Sequence, residues 1–220
     1  MSGAVQIASA VACISAIASL ANQSTAKKGN FLGIAGVGLG VASCAADMSL
    51  AGAGATAYEV LGASALAGGG VGSLLAGKVG PTELPQTVAG FHSLVGLAAM
   101  LAAIGEFFEL GDAMGGGTAA AVYLATFIGG ITFTGSLVAF GKLSQMLGSS
   151  PLKLPGRDLL NLSGLGIGIL GLAAFIDPNL VGNLVGGGGG EEIRMIALGV
   201  VSVVSSLLGI NLVASIGGGE

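Results

Sequence analysis

Apolar residues fill seven stretches of this chain, and each stretch is close to the length that a helix needs to cross a membrane. The stretches cover residues 4–20, 31–46, 60–76, 84–104, 118–140, 159–176 and 195–216. A helix needs ~20 residues to cross a hydrocarbon core of ~30 Å, with a range of about 17–25. The second stretch is slightly short, so we expect its ends to include flanking Gly and Ser residues. The pattern predicts an all-α fold, a polytopic transmembrane helix bundle of about seven spans.

Composition indicates that lipid is the solvent around these helices. Hydrophobic residues make up 53% of the 220 residues, whereas charged residues make up only 8%. Soluble domains carry about 25% charged residues, so this chain cannot cover the outside of a water-soluble fold with charge. The sequence has no basic stripe or aromatic platform, which argues against a nucleic-acid partner. We therefore expect residues 1–220 to form one transmembrane domain in a lipid bilayer.

The charged residues between the stretches alternate in sign from one connection to the next. The first, third and fifth connections hold Lys27, Lys28, Lys78, Lys142, Lys153 and Arg157, whereas the second, fourth and sixth hold Asp47, Glu59, Glu106, Glu109, Asp112, Asp177, Glu191 and Glu192 with one base, Arg194. Lys and Arg are enriched on the cytoplasmic or matrix side of membrane proteins. The alternation predicts that the N-terminus lies outside and the C-terminus inside.

Glycine pairs four residues apart predict where helices approach one another most closely. The pairs are Gly36/Gly40, Gly68/Gly72 and Gly164/Gly168. Residues 166–171 also match the G-x-G-x-x-G fingerprint of dinucleotide-binding loops, which works only between a strand and a helix. Inside the sixth stretch, we interpret this match as helix packing. Cys13 and Cys44 are interpreted as small buried hydrophobes, because their spacing fits no disulfide, metal or redox motif.

His92, the only histidine, lies near the middle of the fourth stretch. On a helix it shares one face with small residues, namely Ala89, Gly96, Ala99 and Ala103. Such a face usually contacts other helices. Ionisable groups inside a membrane are costly and tend to mark proton or ion pathways, and imidazole exchanges protons near neutral pH. The residues alone leave two roles open for His92, a proton relay or a hydrogen-bonded structural group.

Polar residues near this histidine are candidates for the same pathway. Thr132 and Ser136 lie one turn apart in the fifth stretch, with Gly129 on the same face. Their hydroxyls can hold a chain of water molecules or can bond back to helix carbonyls. Glu83 precedes the fourth stretch and is either the exit of the relay or a solvated charge at a helix N-terminus.

Four segments carry a resemblance to the proton-translocating NAD(P) transhydrogenases. Residues 84–99 read LPQTVAGFHSLVGLAA, residues 129–143 read GGITFTGSLVAFGKL, residues 151–157 read PLKLPGR and residues 212–218 read LVASIGG. Each resembles a segment of that family, and the four occur in the family's order. Together they cover most of residues 83–218, and residues 30–36 also look similar.

The resemblance implies a membrane domain that carries protons while hydride passes between two soluble domains. One of those domains binds NAD(H) and the other binds NADP(H), so no cofactor and no metal is expected in this chain. His92 matches the family's membrane histidine, and Ser136 matches a polar residue of the neighbouring helix. Glu220 falls in a loop that faces the NADP domain, and Arg157 closes a matching loop motif.

The family also implies what lies outside this chain. Family members continue with two further spans and an NADP-binding domain, so we expect residues 1–220 to be the front, incomplete part of a β-subunit-like membrane domain. Its partners would be the remaining spans and both nucleotide-binding domains, in a dimeric complex. The chain alone would then be inactive. The wording of the motifs favours the mitochondrial inner membrane over the bacterial plasma membrane.

Two other functions fit the composition less well. A secondary transporter or channel would place His92 in its permeation path, but transporters often show paired inverted repeats, and the two halves here show no convincing repeat. A proteolipid-like ring needs a carboxylate in the middle of a span, whereas every acidic residue here lies at or near a connection or the terminus.

Overall fold

Helices account for every regular element in the described part of the chain. The structure, a computed structural model, describes residues 2–20, 22–152, 155–185 and 189–217. The helices are α1 (Ser2–Leu20), α2 (Ala26–Leu50), α3 (Ala55–Ala76), α4 (Leu84–Leu110), α5 (Gly116–Leu143), α6 (Arg157–Ile176), α7 (Pro178–Val185) and α8 (Gly190–Ala214). Short 3₁₀ turns, Pro81–Glu83 and Gly111–Ala113, flank α4. Over these residues, seven helices are long and apolar enough to cross a membrane, which confirms the predicted all-α fold.

Most helices extend beyond the apolar stretches that predicted them. The second stretch becomes the 25 residues of α2, and α4 has 27 residues, a length of about 40 Å at 1.5 Å per residue. The backbone hydrogen bonds of these helices thus continue past the hydrocarbon into the interfacial layers. The charged residues drawn into helices in this way are Lys27, Lys28, Asp47, Glu59, Glu106, Glu109, Lys142, Arg157, Glu191, Glu192 and Arg194. Their assignment to connecting loops was therefore wrong.

The short helix α7 was not predicted. It has eight residues, about 12 Å at 1.5 Å per residue, which is too short to cross a membrane. Asp177 precedes it, and its Oδ1 accepts a 3.1 Å hydrogen bond from the backbone N–H of Asn179. An Asp cap followed by Pro178 at the first helical position is a helix-start signal. The signal was present in the sequence but lay outside the apolar stretches.

The first unit of the chain, residues 1–78, is built around an antiparallel α1–α2 pair. A Cβ built on Gly36 would lie 2.7 Å from Cys13 Sγ, and one on Gly40 would lie 3.1 Å from Ser9 Oγ. Ser9 Oγ donates a 2.7 Å hydrogen bond to the Gly36 carbonyl. The predicted close approach at Gly36/Gly40 is therefore confirmed.

Two other predictions for this unit are not met. Gly68 and Gly72 have nothing within 4 Å of a built Cβ, so this pair makes no close approach inside the described chain. Cys13 is half-buried, but Cys44 is exposed. The prediction that both cysteines are buried is thus wrong for Cys44.

The second unit, residues 79–220, is organised around α5. Contacts of α5 with α4 pair early residues with late ones, so these two helices are antiparallel. In the contacts between α5 and α8, the residue numbers instead increase along both helices, from Gly130 with Ser205 to Gly135 with Val213. Helices α5 and α8 are therefore parallel. One crossing, by α6, separates them, which agrees with α7 being too short to cross.

Candidate functional site

Helices α4 and α5 approach so closely that glycine is required on both sides. A Cβ built on Gly96 would lie 2.5 Å from the backbone N of Phe133 and 2.9 Å from the carbonyl O of Gly129. A Cβ on Gly129 would lie 2.8 Å from the carbonyl O of Gly96 and 2.9 Å from the N of Met100. Backbone atoms cannot yield as a side-chain end can. This seam, the α4–α5 seam, is thus fixed by two facing glycines.

A hydrogen bond next to His92 sets the register of the same seam. Ser93, which is 3% exposed, donates from Oγ to the carbonyl O of Phe133 at 3.0 Å. On either side, Gly90 meets the ring of Phe140, and Gly96 meets Phe133. The part of α5 that lies level with His92 is therefore between residues 133 and 140, which includes Ser136.

The imidazole does not lie in the packed face of α4. Ser93, Gly96 and Ala103 are buried, but His92 and Ala99 are exposed. Of the predicted helix-packing face, only Gly96 and Ala103 are fully packed within this chain, and contact of the rest of the face with other helices stays a prediction. At about 100° per residue, the buried residues of α4 span an arc of about 80° from Ser93 to Ala103. His92 falls about 20° beyond the Ala103 side of this arc, at the edge of the buried face. His92 lies eight residues from Leu84, which is about 12 Å along the helix.

The two predicted hydroxyl residues lie on α5 beside this edge. Thr132 and Ser136 are half-buried, and the Cβ of Thr132 would lie 2.9 Å from a Cβ on Gly96. Their neighbours Thr126 and Thr134 donate to the carbonyl four residues earlier, at 2.9 Å and 3.1 Å. Within the described chain, the hydroxyls of Thr132 and Ser136 have no such bond. They differ in this way from the back-bonded threonines of the same helix.

The remaining predicted residues lie apart from this pair of helices or outside the description. Glu83 Oε2 accepts a 3.1 Å hydrogen bond from the backbone N–H of Gly80, which makes Glu83 part of the turn before α4. Nine residues separate it from His92, about 13 Å along the axis. Arg157 begins α6 and forms an exposed ion pair with Asp158 at 3.1 Å. Glu220 lies outside the described residues, as does Lys153.

A second seam joins α5 to α8 and is polar as well as narrow. Thr134 Oγ1 lies 2.7 Å from the carbonyl O of Ser206. A Cβ on Gly209 would collide with Thr134 and with the backbone of Ile131, and one on Gly130 would collide with Ser205. Helix α5 therefore contacts α4 on one side and α8 on the other. Few side-chain atoms separate the helix backbones at either contact.

Two buried cations were missed as structural groups by the sequence analysis. Lys142, 6% exposed, lies at the end of α5, and Arg194, also 6% exposed, lies in α8. Arg194 donates to the carbonyl of Phe175 at 3.0 Å and to Asp112 at 3.2 Å. Lys142 donates to carbonyls at the end of α8. The usable signal was position, because Arg194 directly precedes an apolar stretch and only Gly141 separates Lys142 from the end of another.

The dinucleotide-like residues 166–171 lie inside α6 (Arg157–Ile176), so the helix-packing interpretation is confirmed. Gly168 faces the ring of Phe127, and Gly171 faces Tyr123. Gly164 faces Leu208, so both members of the pair Gly164/Gly168 make the predicted close contacts. Among the described residues, no group of three His, Cys, Asp or Glu side chains is arranged to hold a metal ion.

Comparison with known proteins identifies the family. The model of the NAD(P) transhydrogenase beta subunit family matches residues 2–220. Two proteins named NAD(P) transhydrogenase subunit beta, one from Rhodospirillum rubrum and one from a designated strain of that species, are each 36% identical over 160 residues. The match covers 69% of this chain and 33% of each relative, so it spans about a third of their length. This chain belongs to the NAD(P) transhydrogenase beta subunit family.

Proposed function

We propose that this chain is the proton-translocating membrane part of an NAD(P) transhydrogenase. In the proposed reaction NADH gives a hydride to NADP⁺, which leaves NAD⁺ and NADPH, while protons move inward across an energy-transducing membrane. The hydride exchange itself needs no bilayer, so the role of the membrane part is to couple that exchange to the proton gradient. Beyond family membership, the observation that carries the proposal is the position of His92 on α4, level with Ser136 on α5.

His92 is the proton-carrying group in this proposal. An imidazole with an unperturbed pKa of ~6.5 exchanges protons near neutral pH. Its exposure on α4 supports the role, since a fully packed ring could not meet water or a group from another span. A charged side chain facing lipid costs about 2.5–3.5 kcal/mol. The exposed imidazole therefore requires a polar neighbour, which we assign to the remaining spans of the complex.

Thr132 and Ser136 supply hydroxyls on the neighbouring helix. Neither is committed to a carbonyl of its own helix within the described chain, unlike Thr126 and Thr134, so both are available to water. One turn separates the two residues, about 6 Å along α5, a distance that one or two water molecules can bridge. Glu83 is left outside the relay, because its carboxylate bonds the turn before α4. Arg157 and Glu220 stay predictions as loop contacts.

The cofactors and partners follow from the same proposal. NAD(H) and NADP(H) bind to soluble domains of the complex and not to this chain, and the chain alone is inactive. Its partners are the remaining spans and both soluble domains, in a dimeric complex. The motifs favour the mitochondrial inner membrane, but both relatives are bacterial and lend no support to that choice over a bacterial plasma membrane.

Reconstitution in sealed vesicles tests this function. The chain is assembled with the remaining spans and both soluble domains, and hydride transfer and lumenal pH are followed together. The proposal predicts a lumenal pH change that requires both nucleotides and that disappears with an uncoupler. A channel or transporter with His92 in its path would instead pass protons or solute through the chain alone, without nucleotides. That result would replace the proposal.

A further inference from the structure

The side chain of Lys142, which lies on the neighbouring helix α5, caps the C-terminal end of α8. Its Nζ lies 2.7 Å from the carbonyl O of Ala214, 2.6 Å from that of Ile216 and 3.5 Å from that of Val213. The last carbonyls of a helix have no partner within the helix. An ammonium carries three N–H donors, and three carbonyls surround this one. The geometry resembles a helix cap supplied by another helix.

The charge of this group is balanced in an unusual way. Within the described residues the two ion pairs are Arg157–Asp158 and Arg194–Asp112, so no described carboxylate faces Lys142. A buried ammonium is expensive unless it is paired or fully hydrogen-bonded. Here the negative end of the α8 dipole supplies the compensation. The ammonium therefore has a favourable environment only while the end of α8 stays in place.

The connection between α5 and α6 also bonds to the C-terminal end of α8. The backbone N–H of Leu152 donates to the Ala214 carbonyl at 3.0 Å, and that of Leu147 donates to the Gly141 carbonyl at 2.7 Å. A Cβ built on Gly217 would lie 3.2 Å from Pro151. The end of α5, the connection after it and the end of α8 thus form one bonded cluster, which we call the α8 cap.

Helix α5 connects the α8 cap to the candidate relay. Ser136 lies six residues before Lys142 and Thr132 lies ten residues before it. These separations are about 9 Å and 15 Å along one continuous helix. The same helix packs on α4 through Gly129 and on α8 through Gly130 and Gly135. Facing glycines leave no soft side-chain layer that could absorb a shift. We therefore expect a displacement at the end of α8 to reach the α5 hydroxyls.

We propose that Lys142 is a positioning residue for proton coupling, because its ammonium locks the C-terminal end of α8 to the helix that carries Thr132 and Ser136. The inference rests on the proposed function. Lys142 does not itself carry protons in this account. It keeps α5 and α8 in one register, so that the hydroxyls near His92 follow the position of the segment after Ala214.

The coupling ratio of the assembled complex tests this role. The measured quantity is the rate of hydride transfer with an uncoupler divided by the rate in sealed vesicles without it. Lys142→Met keeps the bulk but removes the charge, and its ratio should fall to about one while hydride transfer persists. Lys142→Arg keeps the charge, but its planar fork directs its donors differently from an ammonium, so its ratio should lie about midway between one and the wild-type value.

Matched controls and a second variant keep the outcome decisive. Lys78→Met removes an exposed lysine from a connection with the same predicted sidedness, and its ratio should equal that of the wild type. A purely structural role would lower the amount of folded complex and leave the ratio unchanged. If Lys142→Met fails to assemble, Lys142→Arg alone decides, and a wild-type ratio in the variants that assemble overturns the proposal. If the uncoupler does not change the rate of hydride transfer in the wild-type complex, the proposed function itself is rejected.

Discussion

The hydroxyl of Ser93 donates a 3.0 Å hydrogen bond to the carbonyl oxygen of Phe133, across the seam between α4 and α5. Ser93 is buried and follows His92 directly, so this bond fixes the height of the imidazole relative to the α5 hydroxyls. Because α4 and α5 are antiparallel, Ser136 is brought to the level of His92.

Loss of that bond should have a small effect on stability and a larger one on coupling. Hydrogen bonds between transmembrane helices average ~0.6 kcal/mol and reach about 1.7 kcal/mol, so Ser93→Ala should lower the free energy of unfolding by that amount. Unfolding in mixed detergent measures it. Ser163→Ala is the control, because Ser163 is exposed and bonds only within its own helix. A wild-type coupling ratio in Ser93→Ala would contradict the importance of this register.

Two alanine substitutions on α4 separate helix contact from helix propensity. At Gly96 a Cβ meets the backbone of α5, whereas at Gly105 a Cβ meets nothing within 4 Å. Gly96→Ala should therefore force the helices apart and cost about 1–3 kcal/mol or more. Gly105→Ala should be neutral or gain up to ~1 kcal/mol, because alanine is the better helix former. Equal stabilities in the same detergent unfolding assay would contradict the seam.

Helix α8 offers the same comparison for its contact with α5. Gly209 faces Thr134 and the backbone of Ile131, but Gly199 has open space around it. Gly209→Ala should separate α5 from α8 and abolish coupling in the assembled complex. Gly199→Ala should retain both stability and coupling. Folded yield and uncoupler-stimulated hydride transfer are the two measurements, and normal coupling in Gly209→Ala would show that this seam can widen harmlessly.

Arg194 should be far more important for stability than Arg157. The Arg194 side chain is 8% exposed and joins Asp112 to the end of α6, whereas the Arg157 side chain is 44% exposed beside Asp158. Arg194→Gln removes the hydrogen-bond donors from buried carbonyl oxygens, and the free energy of unfolding should fall by about 2–3 kcal/mol. Arg157→Gln should change stability by ~0–1 kcal/mol, as exposed ion pairs do. Similar losses for both variants would contradict the contacts described here.

Orientation in the membrane is predicted by charge and awaits labelling. After replacement of Cys13 and Cys44 by serine, single cysteines at Gly80 and Gly148 should be shielded from an impermeant thiol reagent applied outside. Cysteines at Gly54 and Gly115, on the predicted outer side, should react. All four positions have room for a Cβ, so the substitutions should not disturb the fold. Labelling of Gly148→Cys from outside would reverse the proposed orientation, and with it the direction of proton movement.

The existence of seven spans was predictable because each stretch is long and continuously apolar. The helix ends were not, since backbone hydrogen bonding continues through the interfacial layers past the last apolar residue. Residues such as Lys142 and Arg194 were therefore assigned to loops, although both are buried in helix contacts. Helix α7 was missed because its start depends on Asp177 and Pro178, a local capping signal that an apolar pattern does not contain.

The candidate site was only partly predictable for a related reason. Periodicity located the face of α4 that carries Gly96 and Ala103, but the apolar pattern of α4 is nearly uniform around the helix. A uniform helix does not reveal which side turns towards α5, so the shift of His92 to the edge of the packed face required the contacts of Ser93 and Gly96. The contacts of Gly129 and Gly209 with neighbouring backbones also arise only from tertiary packing.

His92→Ala should leave assembly intact, because the imidazole is exposed and outside the packed face in this chain. Leu94→Ala, another exposed position of α4, is the matched control. Ala99→His combined with His92→Ala should not restore function, because two turns displace the ring by about 10 Å from Ser136, and proton transfer requires hydrogen-bond distance.

Protons pumped per hydride transferred, measured in sealed vesicles and normalised to folded complex, test the central claim most directly. The relay role predicts that His92→Ala loses proton pumping together with the hydride transfer coupled to it, while Leu94→Ala retains both. A purely structural role predicts a reduced yield of complex with normal pumping in the fraction that assembles. An unchanged ratio and an unchanged rate in His92→Ala would contradict the assignment of His92 as the proton-carrying residue.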